Sequence, residues 1–443
     1  MKPLFELERN NVNYDWQVMK IKRVLDIPIT DGPHETPELL EDGVPFLSAE
    51  AVKNGNLNFE LKRGYISRED HEKYIKKCKP QRDDIFMVKS GATTGNIAMV
   101  DTDEEFSIWS PLALIRAKKE IVIPKYLYYF VGSLAFREQV EVSWSYGTQQ
   151  NIGMKVIENL FISVPSLEIQ KRLVRYIEYK VKDIDILIKQ KEKFIELLEQ
   201  QRQSIITEAV TKGLNPNMKM KDSGVEWIGE IPEHWEVKKV KHFATHVGSG
   251  KTPSGGSEIY LDEGVPFLRS LNVHFDGIHL KDLAFISEEI NEEMKTSQVQ
   301  PLDILLNITG ASIGRTTIVP KDFGRANVNQ HVCIIRLNQN KVYPYYFNML
   351  MASDVINQQI WFAQNGSSRE GLNFAQVREL IFAIPPTLEE QREINEWIYN
   401  KQMKIFSLIN LVKEQIEKLK EYRQSLIYEA VTGKVDVCEL EFD

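Results

Sequence analysis

The feature that most constrains this 443-residue chain is an internal repeat. Four separate blocks recur in the same order at a nearly constant distance. DGVPFLSAEAV (42–52) returns as EGVPFLRSLNV (263–273), which sets Gly43 against Gly264. DIFMVKSGATTGNIAMV (84–100) returns as DILLNITGASIGRTTIV (303–319), setting Gly91 against Gly310. PSLEIQKRL (165–173) matches PTLEEQREI (386–394), and RQSIITEAVTKG (202–213) matches RQSLIYEAVTGK (423–434), so that Gln170 pairs with Gln391 and Gln203 with Gln424. The offset drifts slightly in the first part of each copy and is locked in the second. Drift marks loop insertions, whereas a locked register marks geometry that tolerates none. One long unit is used twice, unlike the many short units of a solenoid.

Each copy divides again. Residues 1–165 and 234–385 alternate short apolar runs with Gly, Pro and Asn breaks, a mixed α/β pattern. ENLFISVP and RELIFAIP read as strands closed by proline. KYLYYFVGSLAFREQV and VYPYYFNMLMASDVINQQI each read as one helix. Residues 166–213 and 386–433 read as long helices. Val174, Ile177, Val181, Ile184, Ile188, Ile195, Leu198, Ile205 and Ala209 follow a heptad rhythm, as do Ile398, Ile405, Ile409, Val412, Ile416, Leu419, Leu426 and Ala430. Lys191, Arg202, Gln402 and Arg423 interrupt the seams. A rod of roughly 65–70 Å, at about 1.5 Å per residue, needs a partner for its apolar stripe, and the nearest is its own copy packed antiparallel. Between the copies, 214–233 reads as a Pro/Gly/Asn-rich linker, and 434–443 is a C-terminal tail.

A hydrophobic content of 42% with 27% charged residues excludes disorder as the main state. No apolar run reaches the roughly 18 residues of a membrane span, and MKPLFELERNNVNYDW lacks a signal-peptide core, so the expectation is a cytoplasmic protein with no membrane contact. Cys78, Cys333 and Cys438 are far apart without a CxxC, which argues against a disulfide framework or thiolate zinc site. A net charge of −8 argues against indiscriminate binding to nucleic acid, while leaving room for a locally basic groove.

Catalytic signatures are missing. VGSGKT (247–252) resembles the end of a phosphate-binding loop, but Thr245 stands where the first glycine belongs and Pro253 where the helix should start. There is no GxGxxG after a strand, no Asn/Asp-Pro-Pro-aromatic motif and no HExxH; His242 and His246 share only a helical spacing. The chain reads as a recogniser, with no catalytic residues, metal ligands or cofactor-binding residues assigned.

Two copies of one domain on long helices suit a bipartite target, and DNA is the natural one, because its grooves recur about every 34–36 Å. Three loop pairs are candidates for contact. In VKSGATTGN (88–96) and NITGASIGR (307–315), small hydroxyl residues between glycines let backbone approach a phosphate, with Lys89 or Arg315 supplying charge; a plain hairpin turn is the alternative. Their candidate residues are Lys89, Ser90, Thr93, Thr94 and Asn96, and Thr309, Ser312 and Arg315. SYGTQQN (145–151) and QNGSSRE (364–370) offer Gln149, Gln150 and Asn151, and Ser367, Ser368 and Arg369, amides suited to adenine edges and an arginine suited to guanine. SIWSPLALIR (107–116) and VNQHVCIIR (328–336) match at their ends, but Asn329 and Gln330 in the second stand where Trp109 and Ser110 stand in the first. A shared scaffold with different tips predicts an asymmetric site.

The linker KDSGVEWIGEIPEHWEVKKVK, the loops GATTGN and GASIGR, and the Pro-x-Leu-Glu-x-Gln entries into two long helices together resemble the specificity (S) subunits of type I restriction–modification systems, over nearly the whole chain. The resemblance implies two α/β target recognition domains joined by two long helices in an intramolecular antiparallel coiled coil with a pseudo-twofold repeat. It implies a non-catalytic subunit that reads both halves of an interrupted site on double-stranded DNA, with the helices as a ruler. The implied partners are two methyltransferase (M) subunits carrying S-adenosylmethionine and two restriction (R) subunits using ATP and magnesium. One departure is that the first copy begins LERNNVNYDW and lacks the GVEWIGEIPEHW leader. The rival reading is a coiled-coil scaffold whose globular domains bind peptides.

Overall fold

The computed structural model describes residues 16–53, 55–143, 151–252, 260–364 and 371–437. The chain forms two compact units, one built from Met1–Glu192 with Glu414–Asp443 and the other from Lys193–Lys413. Among the described residues no helix is long and apolar enough to cross a membrane.

In the first unit a six-stranded sheet runs in the order Thr30–Asp31, Leu112–Ile115, Ile85–Val88, Ile97–Met99, Gly55–Leu57, Val52–Lys53. Beside it lie a three-stranded sheet (Gly64–Ile66, Val44–Leu47, Ser107–Ile108) and an antiparallel pair of Gln17–Lys20 with Phe161–Val164. The second unit has a four-stranded sheet ordered Ala244–Ser249, Val332–Leu337, Ile304–Asn307, Thr316–Ile318, and a three-stranded sheet of Ala284–Ile286, Val265–Leu268 and Asn327–Val328. Glu236–Lys239 pairs with Ile381–Ile384, matching the terminal pair of the first unit. Both proline-closed strands are therefore present. The central strands Ile85–Val88 (IFMV) and Ile304–Asn307 (ILLN) are buried at every position, so they show no apolar–polar alternation.

Each segment read as one helix is two: Pro124–Val131 and Leu134–Ser143, and Pro344–Met351 and Asp354–Gln364. Proline opens the first of each pair, where its missing N–H costs nothing. The break is made by a buried serine whose hydroxyl donates back into the helix it ends, Ser133 to the Phe130 carbonyl and Ser353 to the Leu350 carbonyl, both at 2.6 Å. Because Ala352 stands where Gly132 stands, glycine is not the cause. The linker also holds more structure than its composition suggests, an antiparallel pairing of Met220–Asp222 with Glu230–Pro232.

The long helices run Leu167–Lys212 and Leu388–Thr432. Each starts at a hydroxyl side chain, Ser166 or Thr387, that accepts from the backbone N–H three residues on. Each is followed by a glycine at positive φ, Gly213 (71°) or Gly433 (78°), which a side-chain-bearing residue would strain. Within each unit the helices pair antiparallel. In the first, Lys191 Nζ donates to Gln415 Oε1 (2.6 Å) and Arg423 Nε to Asp185 Oδ1 (3.0 Å), while Ile427, Ala430 and Val431 join Val174, Ile177 and Val181 in the core. In the second, Leu198 packs with Ile405 and Ile409. Arg202 takes the place of Arg423 there, lying over the rings of Phe275 (5.6 Å) and Phe406 (5.7 Å).

The glutamine of the Pro-x-Leu-Glu-x-Gln entry ties helix to domain. Gln170 is fully buried; its Oε1 accepts from the Ile123 N–H (2.8 Å), and its Nε2 donates to the carbonyls of Ile121 (2.9 Å) and Pro165 (2.8 Å). Gln391 repeats the pattern with the Tyr343 N–H (2.8 Å) and the Pro385 carbonyl (3.0 Å). A second shared anchor is a bidentate ion pair. Arg116 holds Asp84 through Nε and Nη2, both at 2.7 Å, and Arg336 holds Asp303 at 2.8 and 2.7 Å. Both carboxylates are buried.

In the first unit alone, buried Asp31 receives Lys77 (2.6 Å) and Lys89 (3.0 Å). Burial by itself raises its pKa, but the hydrogen bonds and charges of the two lysines outweigh that and hold the carboxyl below the usual 3.8.

Two outcomes follow for stability. Replacing Gln170 with Leu strands one N–H and two carbonyls in the interior and should cost at least about 3 kcal/mol, read from urea midpoints. Asp31→Asn should cost about 2–3 kcal/mol at neutral pH. Since the depressed pKa makes this contribution present above pH 3.8 and lost as pH falls through the folded value, the gap between parent and variant should close only below about pH 4.

Candidate DNA interface

Backbone hydrogen bonds join the glycine loop of each unit to the third loop on one side and to the residues that end or follow the second loop on the other. In the first unit, the glycine loop lies at its start between the other two. Lys89 N–H donates to the Pro111 carbonyl (2.8 Å) in the third loop, and Ile152 N–H, just past the second loop, donates to the Lys89 carbonyl (2.8 Å). Ser90 and Asn151 face each other across a β-bridge. The second unit repeats the arrangement. Ile308 N–H donates to the His331 carbonyl (3.0 Å), Leu372 N–H to the Ile308 carbonyl (2.8 Å), and Thr309 bridges Gly371. Thr309 Oγ1 also contacts His331 Nδ1 at 2.6 Å.

The glycine loops are hairpin turns. Gly95 N–H donates to the Val88 carbonyl and Gly314 N–H to the Asn307 carbonyl, at 2.8 and 2.9 Å, and the glycines at both ends of each loop adopt positive φ. In the first loop the N–H groups of Thr94, Gly95 and Asn96 are engaged internally. These N–H groups are therefore not free to form a backbone cradle for a phosphate.

Those side chains differ between copies. Thr93 and Asn96 are exposed, whereas Thr94 is half-buried with its hydroxyl on the Gly91 carbonyl (2.6 Å). Lys89 turns inward to Asp31, which it shares with Lys77, and is 13% exposed, so it does not project from the loop. Arg315, half-buried, has no ion-pair partner among the described residues and is the available cation of its loop. Ser312 Oγ accepts from Asn307 Nδ2 (3.0 Å), whose amide also reaches the Ser270 carbonyl (2.8 Å).

In the third loops, Trp109 carries the guanidinium of exposed Arg63 over its ring at 4.0 Å. Asn329 is buried and its Oδ1 caps the His331 N–H (3.0 Å), so it shapes the turn; Gln330 Nε2 lies 2.8 Å from His331 Nε2. Arg63 and His331 escaped the sequence reading. Arg63 reaches Trp109 across a distance in the chain that no spacing rule covers, and His331 was visible only as a residue beside two amides. Gln149, Gln150, Ser367, Ser368 and Arg369 lie outside the described residues.

The structure also accounts for VGSGKT. A Cβ on Gly250 would fall 1.6 Å from the Val328 carbonyl oxygen, and one on Gly32 would fall 1.8 Å from that of Ile108. Each glycine lets its strand end press against the third loop, which is a packing role. His242 Nδ1 accepts from the Lys239 N–H (3.1 Å) at a short helical turn, also a structural use. Burial pushes the thiols of Cys78 and Cys333 up to about 12, leaving them unreactive.

The sequence matches the family of the type I restriction modification DNA specificity domain twice, over residues 13–197 and 232–421. It is 26% identical to the type I restriction enzyme MjaVIII specificity subunit of Methanocaldococcus jannaschii, covering 99% of this chain and 97% of that one. It is 23% identical to the EcoBI specificity subunit of Escherichia coli over 76% of this chain and 73% of that one. Among solved structures, it resembles a chain from work reported as the structural basis of complex assembly and conformational transition of the type I R-M system. That likeness has a TM-score of 0.61 at 16% identity and covers 96% of this chain and 100% of the other. With duplicated domains, paired long helices and two matches to one family, the chain belongs to the type I restriction–modification specificity subunits, non-catalytic proteins whose role is DNA recognition.

Proposed function

We propose that the chain reads an asymmetric, bipartite site on double-stranded DNA, with residues 1–164 reading one half and 234–385 the other. Carrying this reading is one observation: in both units the same backbone bonds set the glycine loop between the third loop and the residue that follows the second, while the side chains of the glycine and third loops differ. Asn96 stands where Arg315 stands, and Trp109 where Asn329 stands. A common frame with different tips recognises unlike half-sites. Phosphate contacts supply affinity and its salt dependence; amide and Arg contacts to base edges discriminate by roughly 1–3 kcal/mol each.

In this reading the two long helices keep the half-sites at a fixed separation and carry two M subunits, to which two R subunits add. S-adenosylmethionine belongs to the M partners, and ATP with magnesium to the R partners. Turning an adenine out of the stack for methylation, at a cost of a few kcal/mol, falls to the M subunits.

Exchanging residues 1–164 for the matching domain of a subunit with another specificity, and mapping methylated adenines, should change one half of the modified motif only. A change in both halves, or in neither, contradicts the reading. Arg315→Ala, assayed by gel shift with the M partners present, should weaken binding and reduce the slope of log K against log salt by about 1 if Arg315 meets a phosphate.

A further inference from the structure

The second unit carries a constellation outside the three candidate loops. His274, Asp276 and His279 sit on the hairpin of Val273–His274 and Gly277–Ile278, and one ligand atom from each lies within 4.8 Å of the others. The two imidazoles face each other, with centroids 3.9 Å apart and planes 14° apart. His279 Nε2 is 2.9 Å from Asp276 Oδ1, and His274 Nε2 is 2.9 Å from the Leu271 carbonyl. A carbonyl can only accept, so His274 donates from Nε2 and turns Nδ1 toward the other two groups, the kind of outer bond that commonly aims a metal-binding histidine. His279 Nε2 and the Asp276 carboxylate already meet, and a metal ion would take the place of the proton between them.

The backbone beneath these side chains is fixed. Buried Asn272 donates from Nδ2 to the His279 carbonyl (2.8 Å), accepts the His279 N–H on its own carbonyl (2.8 Å), and accepts the Arg269 N–H on Oδ1 (3.0 Å). Phe275, between His274 and Asp276, lies under the Arg202 guanidinium. Above it, His279 and Asp276 are 46% and 48% exposed, which leaves their side chains room to adjust around an ion. Ligands on a tetrahedral ion with bonds near 2.0–2.2 Å stand about 3.3–3.5 Å apart, so no pair has more than about 1.5 Å to close, within reach of ring rotation.

The other copy is an internal control. At the register that aligns Gly264 with Gly43, the three positions are Lys53, Gly55 and Asn58. The hairpin is the same, with Val52 opposite Leu57 and the Asn58 N–H on the Ala51 carbonyl at 2.8 Å, but the ligands are gone. The frame does not require histidine at these places.

We infer that His274, Asp276 and His279 form a binding site for a divalent transition-metal ion, without a counterpart at the matching positions of the first unit. Two imidazoles and a carboxylate suit zinc, nickel, cobalt or copper and disfavour magnesium and calcium, which take oxygen ligands. Water completes the shell.

The test uses the untagged full-length chain, stripped with chelator and titrated with zinc chloride against a chromophoric competitor. A single equivalent should bind with micromolar affinity, undisplaced by magnesium. His274→Lys with His279→Asn, which installs the first copy's residues, should weaken that binding at least about tenfold without moving the thermal midpoint. X-ray absorption at the zinc edge of the loaded parent should show two imidazoles in the first shell. Absence of saturable binding, equal affinity in the double variant, or a shell without imidazole overturns the assignment.

Discussion

Two buried glutamines carry the architecture. Gln170 and Gln391 occupy the first turn of each long helix and satisfy backbone groups at the segment leading into the earlier, proline-opened helix of the same domain and at the strand end just before their own. A long amphipathic helix makes no demand of its own about which domain it leaves or at what angle. A side chain that bonds both sides of the junction, in a site closed to water, makes that demand, since breaking any of these bonds leaves a polar group unpaired. The same residue in both copies means one joint design serves two domains that have otherwise drifted apart.

What drifted is informative. The frame is held by interactions common to both units: the Asp84–Arg116 and Asp303–Arg336 pairs, the close approaches at Gly32 and Gly250, and the bonds that align the loops. Exposed positions on that frame differ between the copies, and even the charge arrangement differs, with Lys89 drawn to Asp31 in one unit and Arg315 without an ion-pair partner among the described residues in the other. Positions within the seam of the long helices show the same divergence. Asp185 meets Arg423 as an ion pair, while Phe406, the matching residue, meets Arg202 through its ring. Swapping a carboxylate for an aromatic ring preserves attraction to guanidinium by a different physical means.

Much of this was legible in the sequence because it is local or periodic. Heptad spacing located the long helices to within a residue or two, and proline closed the two strands as expected. The glycine turns too were legible as a pair of motifs, but their neighbours were not: nothing local to 88–96 says that 111 and 152 flank it. Lys89 looked like a free cation because its partner, Asp31, is remote in the chain and half of a pairing the other copy lacks. The single helix read at 125–140 is two because a buried serine hydroxyl ends the first, and serine within an apolar run carries no such mark. Gly250 resembled a phosphate loop for want of knowing that Val328 lies against it.

The two units are threaded differently. The second is one uninterrupted stretch, 193–413, whereas the first is built from 1–192 together with 414–443. Its core needs Ile427, Ala430 and Val431 from the final helix; Tyr126 reaches the Val431 carbonyl, and Gly433 lies against Trp16. On the ribosome, the half made first is thus the half completed last. Until the closing helix emerges, the apolar faces of Val174, Ile177 and Val181 wait uncovered while the other unit has all its residues, so vectorial synthesis opens a window for misassembly in one copy of the duplication and not in the other.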